Sequence, residues 1–338
     1  MQRKKFMKMV NGEYYIGEMS DGLRHGKGTY YYKNGKVKYD GDFVNDNFEG
    51  IGKYIEENGE YYIGQWLNGS RNGEGKEYYR NGKINYSGNF VNDNYEGFGK
   101  FFEENGEYYI GQWSNCLMHG KGTKYYQDGN IKYEGDFVND NYEGHGKGIW
   151  ENGEYYIGQW LEGSRHGKGK EYYKNGDIKY EGDFVNDNYE GNGKYVYEDG
   201  NYYVGQWLDG LMHGKGTVYY KDGSIVYDGD FINGKAEGNG KYYYENGEYY
   251  IGEMLNDLKH GKGIYYYKNK NIKYDGDFVN DKFEGNGKYF YENGEYYIGQ
   301  WLKGLRHGRG IEYYKNGNIK YSGDFVNDNY EGNGQFFD

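Results

Sequence analysis

The stretch YIGQWLEGSRHGKG, from Tyr156 to Gly169, decides the fold because the chain repeats it throughout. It carries Y-x-G-x-W, then a polar connection, then G-x-G. Self-similarity at a fixed period is typical of repeat architectures. The tryptophans of the motif fall at a step of 47 residues, at Trp66, Trp113, Trp160, Trp207 and Trp301, with Met19 and Met254 at the two remaining positions.

Each 47-residue segment consists of two related halves. The first half reads Y-x-G-x-W, as in Tyr156 to Trp160, and the second reads Y-x-G-x-F, as in Tyr180 to Phe184. Both reach G-x-G eleven residues after the first tyrosine. The sequence therefore predicts 14 copies of a unit of 23 or 24 residues, which form one continuous array over residues 11–338 after a basic tail at residues 1–10.

Within a copy, large and small residues alternate with a period of two, which indicates β-strands. Tyr156, Gly158 and Trp160 would share one face, and Ile157 and Gln159 the other. Short links containing Asn-Gly or Asp-Gly favour hairpins. We therefore expect an all-β protein: an elongated, twisted, single-layer antiparallel sheet of consecutive hairpins, about 28 strands in a solenoid-like ribbon. Only Asn269-Lys270 breaks the turn pattern, and we expect strain there.

Composition agrees with a thin aromatic core. The 338 residues include 62 glycines, 49 tyrosines and no proline, so few aliphatic side chains are available. A glycine lets a neighbouring ring lie flat over the backbone, which buries aromatic area without a second sheet. The single cysteine, Cys116, excludes an internal disulfide framework and fits a reducing compartment. No apolar run is long enough to span a membrane.

The pattern resembles the MORN (membrane occupation and recognition nexus) repeat, whose motif is Y-x-G-x-W, two residues, Gly, then G-x-G. The fixed positions of this motif are occupied here by Tyr156, Gly158, Trp160, Gly163, Gly167 and Gly169. The second halves match with Phe for Trp. The resemblance implies a cytoskeletal, ciliary or membrane-associated scaffold, or an array that precedes an enzyme domain. Because no residues remain for such a domain, we expect a stand-alone repeat protein.

The array also has departures, which we expect to weaken packing locally without changing the fold. They comprise the two methionines above and Cys116, Asn72, Ala236, Asp257 and Lys270. The sixth segment, with Met254, Asp257 and Lys270, is the most altered. It is therefore a candidate for a bend or a soft spot.

Three patterns that could carry chemistry are better explained by the repeat. Histidines recur before G-K-G or G-R-G, but a step of four strands separates them by roughly 19 Å, so they cannot share one metal ion. GSRHGKGK at Gly163 has the wrong spacing for a P-loop. The D-F-V-N-D-N-Y-E-G segments lack the spacing of an EF-hand calcium loop. We predict no catalytic residue, metal or cofactor.

Three functions remain. The first is a non-enzymatic scaffold for protein partners. The second is a phosphoinositide- or membrane-binding module, which the net charge of −12 opposes. Lys27, Lys121 and Lys168 could form a basic row, but acidic residues of the second halves alternate with them and should cancel their field. The third is a regulatory subunit of an enzyme complex. Nucleic acid is disfavoured by the same negative charge.

The C-terminal residues suggest self-association. The sequence ends within a hairpin pattern, and an unpaired apolar strand edge invites pairing. We therefore expect a homodimer through the C-terminal repeats, with Phe325, Phe336 and Phe337 at its edge. The expected location is the cytoplasm, in association with the cytoskeleton or a cilium.

Overall fold

Alternation of rings and glycines produces strands along the whole described chain. The computed structural model describes residues 5–337, and these contain 29 β-strands and no helix. The chain divides into two compact units, Met1–His166 and Gly167–Asp338, of which 5–166 and 167–337 are described.

In the first unit, each strand pairs antiparallel with its neighbours in sequence. Its strands are β1 (Lys5–Lys8), β2 (Tyr14–Ser20), β3 (Leu23–Tyr31), β4 (Val37–Val44), β5 (Asn47–Ile55), β6 (Tyr61–Leu67), β7 (Ser70–Tyr78), β8 (Ile84–Val91), β9 (Asn94–Phe102), β10 (Tyr108–Ser114), β11 (Leu117–Tyr125), β12 (Ile131–Val138), β13 (Asn141–Ile149) and β14 (Tyr155–Leu161).

The strand β15 (Ser164–Tyr172) includes the boundary between the units, and from Gly167 onward it pairs with β16. The second unit continues in the same antiparallel order. Its strands are β16 (Ile178–Val185), β17 (Asn188–Val196), β18 (Tyr202–Leu208), β19 (Leu211–Tyr219), β20 (Ile225–Ile232), β21 (Lys235–Tyr243), β22 (Tyr249–Leu255), β23 (Leu258–Tyr266), β24 (Ile272–Val279), β25 (Lys282–Phe290), β26 (Tyr296–Leu302), β27 (Leu305–Tyr313), β28 (Ile319–Val326) and β29 (Asn329–Phe336).

The prediction of an all-β protein built from consecutive antiparallel hairpins is confirmed. The strand that the sequence did not indicate is β1, within the segment interpreted as a basic tail. Its backbone pairs with β2, from Lys5 opposite Gly17 to Lys8 opposite Tyr14. The Phe6 ring lies 5.7 Å from the Tyr14 ring. One ring contact and an available strand edge are therefore enough to extend the sheet.

Two kinds of turn join the strands, and they use different residues. The two-residue turns place both residues at positive φ, as at Asn186 (47°) and Asp187 (69°), and most of these positions are occupied by Asn, Asp or Gly, which tolerate this conformation. At Asn175-Gly176, by contrast, only the glycine has positive φ (91°). The Asn175 side chain instead accepts a hydrogen bond from the Asp177 N–H at 2.9 Å. The Asn-Gly links are thus longer turns than their sequence suggests.

The turn at Asn269-Lys270 keeps this geometry without its glycine. Lys270 adopts a φ of 71°, a backbone conformation that residues other than glycine rarely take. Its N–H still donates to the Tyr267 carbonyl at 2.9 Å. The strain expected from the sequence therefore falls on Lys270.

The two glycines of each G-x-G are required for different reasons. The second, Gly122, lies beneath the Tyr109 ring, and an added Cβ would approach that ring to less than the 3.0 Å that real Cβ atoms keep. The first, Gly120, has a φ of 67° where the strand bulges. The Tyr109 ring extends over Gly111 and Gly122, and its hydroxyl donates a hydrogen bond to the Gln112 carbonyl at 3.0 Å. Every first tyrosine of the array makes the equivalent bond, from residue i to the carbonyl of residue i+3.

Rings over the glycines form the core. Tyr180 stacks on Tyr189 with centroids 3.9 Å apart, and Trp207 meets both edge-on at 5.5 and 5.2 Å. Tyr180 and Phe184 are fully buried. Around Tyr227 this set is reduced, because Ala236 and Met254 stand where a second stacked ring and a tryptophan would be. Both of these smaller residues are buried, at 6% and 5% exposure, so the departures fall inside the core.

Candidate functional site

The sheet presents two chemically different faces. We call the face that carries Tyr156, Gly158 and Trp160 the ring face, and the opposite face, with Ile157 and Gln159, the charged face. Tyr156 and Trp160 are buried, whereas Gln159 is exposed, which confirms the predicted alternation. The remaining motif glycines are also structural: Gly163 has a φ of 85° in a turn, Gly167 a φ of 61°, and Gly169 pairs with Gly182.

The charged face carries ion pairs between cross-strand neighbours. The lysine ahead of the second motif glycine meets an aspartate of the next strand, with Nζ to Oδ1 distances of 2.5 to 2.7 Å. The pairs are Lys27–Asp42, Lys121–Asp136, Lys168–Asp183, Lys215–Asp230 and Lys262–Asp277. The lysines expected to form a basic row are therefore neutralised one by one.

A second series of ion pairs lies beside the ring face. In four segments a glutamate just before a strand meets a lysine 25 residues later, with nitrogen to oxygen distances of 2.7 to 3.1 Å. These pairs are Glu13–Lys38, Glu107–Lys132, Glu248–Lys273 and Glu295–Lys320. The hydrogen bond from the Tyr30 hydroxyl is the main cause that lowers the pKa of Glu13 to about 2, and Lys38 adds to it against the effect of burial.

Two equivalent clefts lie beside the Glu–Lys pairs, in successive segments. One has a volume of about 810 Å³ and the next about 1060 Å³, and their lining residues correspond at the 47-residue step. Corresponding residues are Glu60 and Glu107, Tyr79 and Tyr126, Phe102 and Ile149, and Lys83 and Asn130. Burial, followed by the Glu104, Glu103 and Glu60 carboxylates, raises the pKa of Tyr79. The repeat thus produces similar recesses in two successive segments, each with an acid and a ring.

A further cleft of about 510 Å³ lies next to Glu60 and differs from its surroundings. Arg71 on its wall is paired with Glu77 and, at 3.1 Å, with Asp93. Asn85 stands where the first, third, sixth and seventh segments have the lysine of the Glu–Lys pair. The sequence interpretation missed this position, although Asn85 at the place of Lys38 is visible in an alignment of the segments.

The histidines do not form a site. Six of the seven lie on strands immediately before a glycine at positive φ, as His25 does in β3, and so belong to the bulge and not to a turn; the exception is His145. In five of them the Nδ1 atom is buried and has no hydrogen-bond partner: His25, His166, His213, His260 and His307. Over residues 5–337, no group of three or more His, Cys, Asp and Glu side chains is placed to hold a metal ion. The same residues include no helix long and apolar enough to cross a membrane.

The residues expected at a dimer edge occupy different environments. Phe336 on β29 is 62% exposed, and the Phe337 N–H donates to the Lys320 carbonyl at 3.1 Å. Phe325 is fully buried, and its ring packs 5.1 Å from Tyr297. The expectation for Phe325 was wrong, because the phenylalanine of Y-x-G-x-F points into the ring face and cannot contact a partner.

Comparisons with known proteins identify the repeat, chiefly through its family model. MORN repeat-containing protein 3 of Xenopus laevis is 49% identical over 45 residues, a match that covers 13% of this chain and 19% of that protein's length. A crystal structure of the computationally designed Ika8 protein aligns over 92% of this chain and 93% of its own, at 12% identity and a TM-score of 0.16, which is too low to support an argument. The family model of the MORN repeat matches 14 times, at residues 15–37, 39–61, 62–84, 86–106, 109–131, 133–155, 156–178, 180–202, 203–225, 227–249, 250–272, 274–296, 297–319 and 321–337. Since these matches cover nearly all of the chain in one register, the chain belongs to the MORN repeat family.

Proposed function

We propose that the protein is a non-enzymatic scaffold that binds protein partners along the clefts beside its ring face. The observation that carries this proposal is the recurrence of the cleft at a fixed step, with Glu60 and Tyr79 in one copy and Glu107 and Tyr126 in the next. Recesses of several hundred Å³ that combine an aromatic wall with a carboxylate can accept protein side chains. A series of them suits an extended partner or several copies of one.

The charge distribution favours a protein over a membrane. Anionic lipids attract clusters of unpaired lysine and arginine side chains. On the charged face, however, Lys121 and Lys168 each lie within 2.6 Å of an aspartate oxygen, and the chain carries a net charge of −12. Direct lipid binding would therefore be weak, and the family's link to membrane interactions would be met through a protein partner.

Two substitutions on opposite faces test the proposal. Lys83→Glu with Asn130→Glu alters exposed residues of the two equivalent clefts, whereas Lys76→Glu makes the same change on the charged face. The tagged full-length protein would be used to capture partners from the cells that express it. We expect the cleft variant to lose at least 10-fold of the captured partner and Lys76→Glu to retain it. Equal loss in both variants would contradict the assignment of the clefts.

A vesicle assay distinguishes the protein scaffold from the alternative of a lipid-binding module. Vesicles containing phosphatidylinositol 4,5-bisphosphate should not sediment the protein at physiological salt. Sedimentation that survives the cleft substitutions would overturn the scaffold in favour of a lipid-binding module. An enzymatic activity that co-purifies with the wild type and is lost with the cleft variant would indicate a regulatory subunit.

Two finer proposals accompany the scaffold. A homodimer would form through β29, whose outer edge pairs with no strand among residues 5–337 and whose Phe336 ring is exposed. Light scattering of a protein lacking residues 321–338 should show the loss of the dimer, and an unchanged mass would refute it. We also place the protein in the cytoplasm at the cytoskeleton or a cilium, in keeping with the exposed free thiol of Cys116, and imaging of a tagged copy tests this location.

A further inference from the structure

The Glu–Lys pairs beside the ring face show how this fold holds an ammonium group. In the first segment the Lys38 nitrogen lies 2.9 Å from Glu13 and 5.1 Å from the centre of the Tyr32 ring. The third, sixth and seventh segments repeat both contacts, with the nitrogen 5.1 to 5.9 Å from the centre of the equivalent tyrosine ring. A carboxylate and an aromatic face together bind a cation more tightly than either alone.

The second segment keeps the receptor but lacks the lysine. Glu60 and Tyr79 stand at the positions of Glu13 and Tyr32, while Asn85 replaces the lysine. Glu60 forms no ion pair within the described part of the chain. In the fifth segment, by contrast, Asn201 and Val226 replace acid and lysine together, so that no charge is left behind. The second segment therefore has an acid whose usual partner has been removed.

The shortened side chain leaves space and an unused acceptor. The cleft of about 510 Å³ is lined by Glu60, Asn85 and Trp66 among others. The Asn85 Oδ1 atom is buried there and accepts no hydrogen bond. A buried polar atom without a partner is costly, and an ammonium could donate to this oxygen and to Glu60 at once, since it has three donors.

The charges around the cleft favour a cation. Its lining includes four carboxylates, on Glu56, Glu60, Glu77 and Asp93, and one guanidinium, on Arg71. Arg71 is already paired with two of these acids. The cleft therefore remains negative, and Glu60 is the acid that faces the vacated position.

We propose that this cleft binds the side chain of a lysine supplied by a protein partner, with its ammonium between Glu60 and Asn85 and its methylenes toward the aromatic rings of the cleft wall, which include Tyr54 and Trp66. The inference rests on the proposed scaffold function only for the origin of the lysine. The first, third, sixth and seventh segments identify the ligand chemistry, because at the equivalent place each holds a lysine and not an arginine.

The site itself is tested with small probes on the full-length protein. N-acetyl-lysine methylamide would be titrated against the wild type while the side-chain amide resonance of Asn85 is followed by NMR, with the norleucine analogue as the uncharged control. We expect saturable shifts for lysine alone. Glu60→Gln should weaken binding at least 5-fold, and Asn85→Lys should abolish it by filling the cleft from within. Shifts of equal size with norleucine would overturn the site.

A matched variant converts an occupied segment into an open one. Lys320→Asn removes the lysine that pairs with Glu295 and reproduces the arrangement at Glu60, because Arg306 pairs there with Glu312 and Asp328 as Arg71 pairs with Glu77 and Asp93. It should add a second binding event for the lysine probe, and the absence of a second event in the folded variant would refute the proposal.

Partner capture then assigns the origin of the lysine. Asn85→Lys should reduce capture at least 5-fold, whereas undiminished capture would show that the lysine does not come from that partner. Lys83→Glu with Asn130→Glu decides the scaffold function separately, so the two failures are distinguishable.

Discussion

Replacement of Gly122 by alanine should be among the most damaging single changes in the first unit. The added methyl group would enter the volume of the Tyr109 ring, which is only 2% exposed and packs edge-on against Trp113 at 5.2 Å and Phe137 at 5.0 Å. Because its neighbours are rings and backbone, Tyr109 cannot move aside. It must leave its place, and its hydrogen bond to the Gln112 carbonyl is lost with it.

The cost follows from these two losses. Overfilling a packed core destabilises by about 1–3 kcal/mol. A lost hydrogen bond adds about 1 kcal/mol. We therefore expect about 3 kcal/mol for Gly122→Ala. In a Tyr109→Ala background the methyl group meets no ring, so the same substitution should cost less than about 1 kcal/mol, since glycine is itself unfavourable in a strand. The coupling between the two positions should thus be about 2 kcal/mol or more.

Hydrogen exchange is the appropriate assay, because the stability of a repeat protein is set locally. The amides of β10 to β12 should exchange about 100-fold faster in Gly122→Ala, while those of β2 to β4 are unchanged. Gly129→Ala is the control: its φ is 87° and its Cβ would lie 3.8 Å from the Tyr108 hydroxyl, so it should lose about 1 kcal/mol through backbone strain alone. Equal costs for Gly122→Ala with and without Tyr109 would refute the role of the ring.

Three further outcomes follow from the charges and hydroxyls. Lys121→Ala should change the free energy of unfolding by less than about 1 kcal/mol, because its pair with Asp136 is largely exposed, and a loss of more than 2 kcal/mol in urea titration would contradict this. The pKa of Glu13 is lowered from 4.5 to about 2, which contributes stability that is present above pH 4.5 and is lost as the pH falls toward 2. The amides of β1 to β3 should therefore exchange faster as the pH falls through this range, after correction for intrinsic exchange, and Glu13→Gln should remove this pH dependence. Burial raises the pKa of Tyr62 and Tyr297 from 10.0 to about 12. The stability that the two neutral side chains contribute is therefore intact below pH 10 and is lost between pH 10 and 12, so tyrosinate absorbance should appear together with unfolding. Ionisation of these tyrosines without loss of the strand signal would argue against this coupling.

The sequence predicted the strands because one physical requirement is written in it many times. Tyr109 needs Gly111 and Gly122 beneath its ring, and the same spacing recurs in every copy. A requirement of this kind fixes which residues face each other and hence the register of the hairpins. The alternation therefore identified the faces of the strand that contains Tyr156 without any knowledge of long-range contacts.

Other features depend on geometry that composition does not reveal. The Asn-Gly pairs were interpreted as tight turns, but the Asn175 side chain closes a longer turn in which only Gly176 takes a positive φ. Phe325 was assigned to an edge because of its position near the C-terminus, although its place in Y-x-G-x-F directs it inward. From the sequence, the charges of the lysines and acids could only be expected to cancel on average. That Lys121 pairs with Asp136 in particular follows from the strand register, which places the two residues opposite each other.

The array therefore separates residues that hold the fold from residues that can vary. A methyl group added at a ring-covered glycine overlaps an aromatic side chain, so these positions admit little change in any copy. A pair such as Glu13 and Lys38 covers no motif glycine, and the fifth segment has Asn201 and Val226 in its place, so its members can be replaced while the segment remains folded. Asn85 and Val226 are replacements of this second kind. Asn85 leaves Glu60 without its lysine, whereas Val226 occurs together with the loss of the acid. Copies with the same backbone can therefore offer different chemistry to a partner, and selectivity along the array can arise from these positions while the strands are kept.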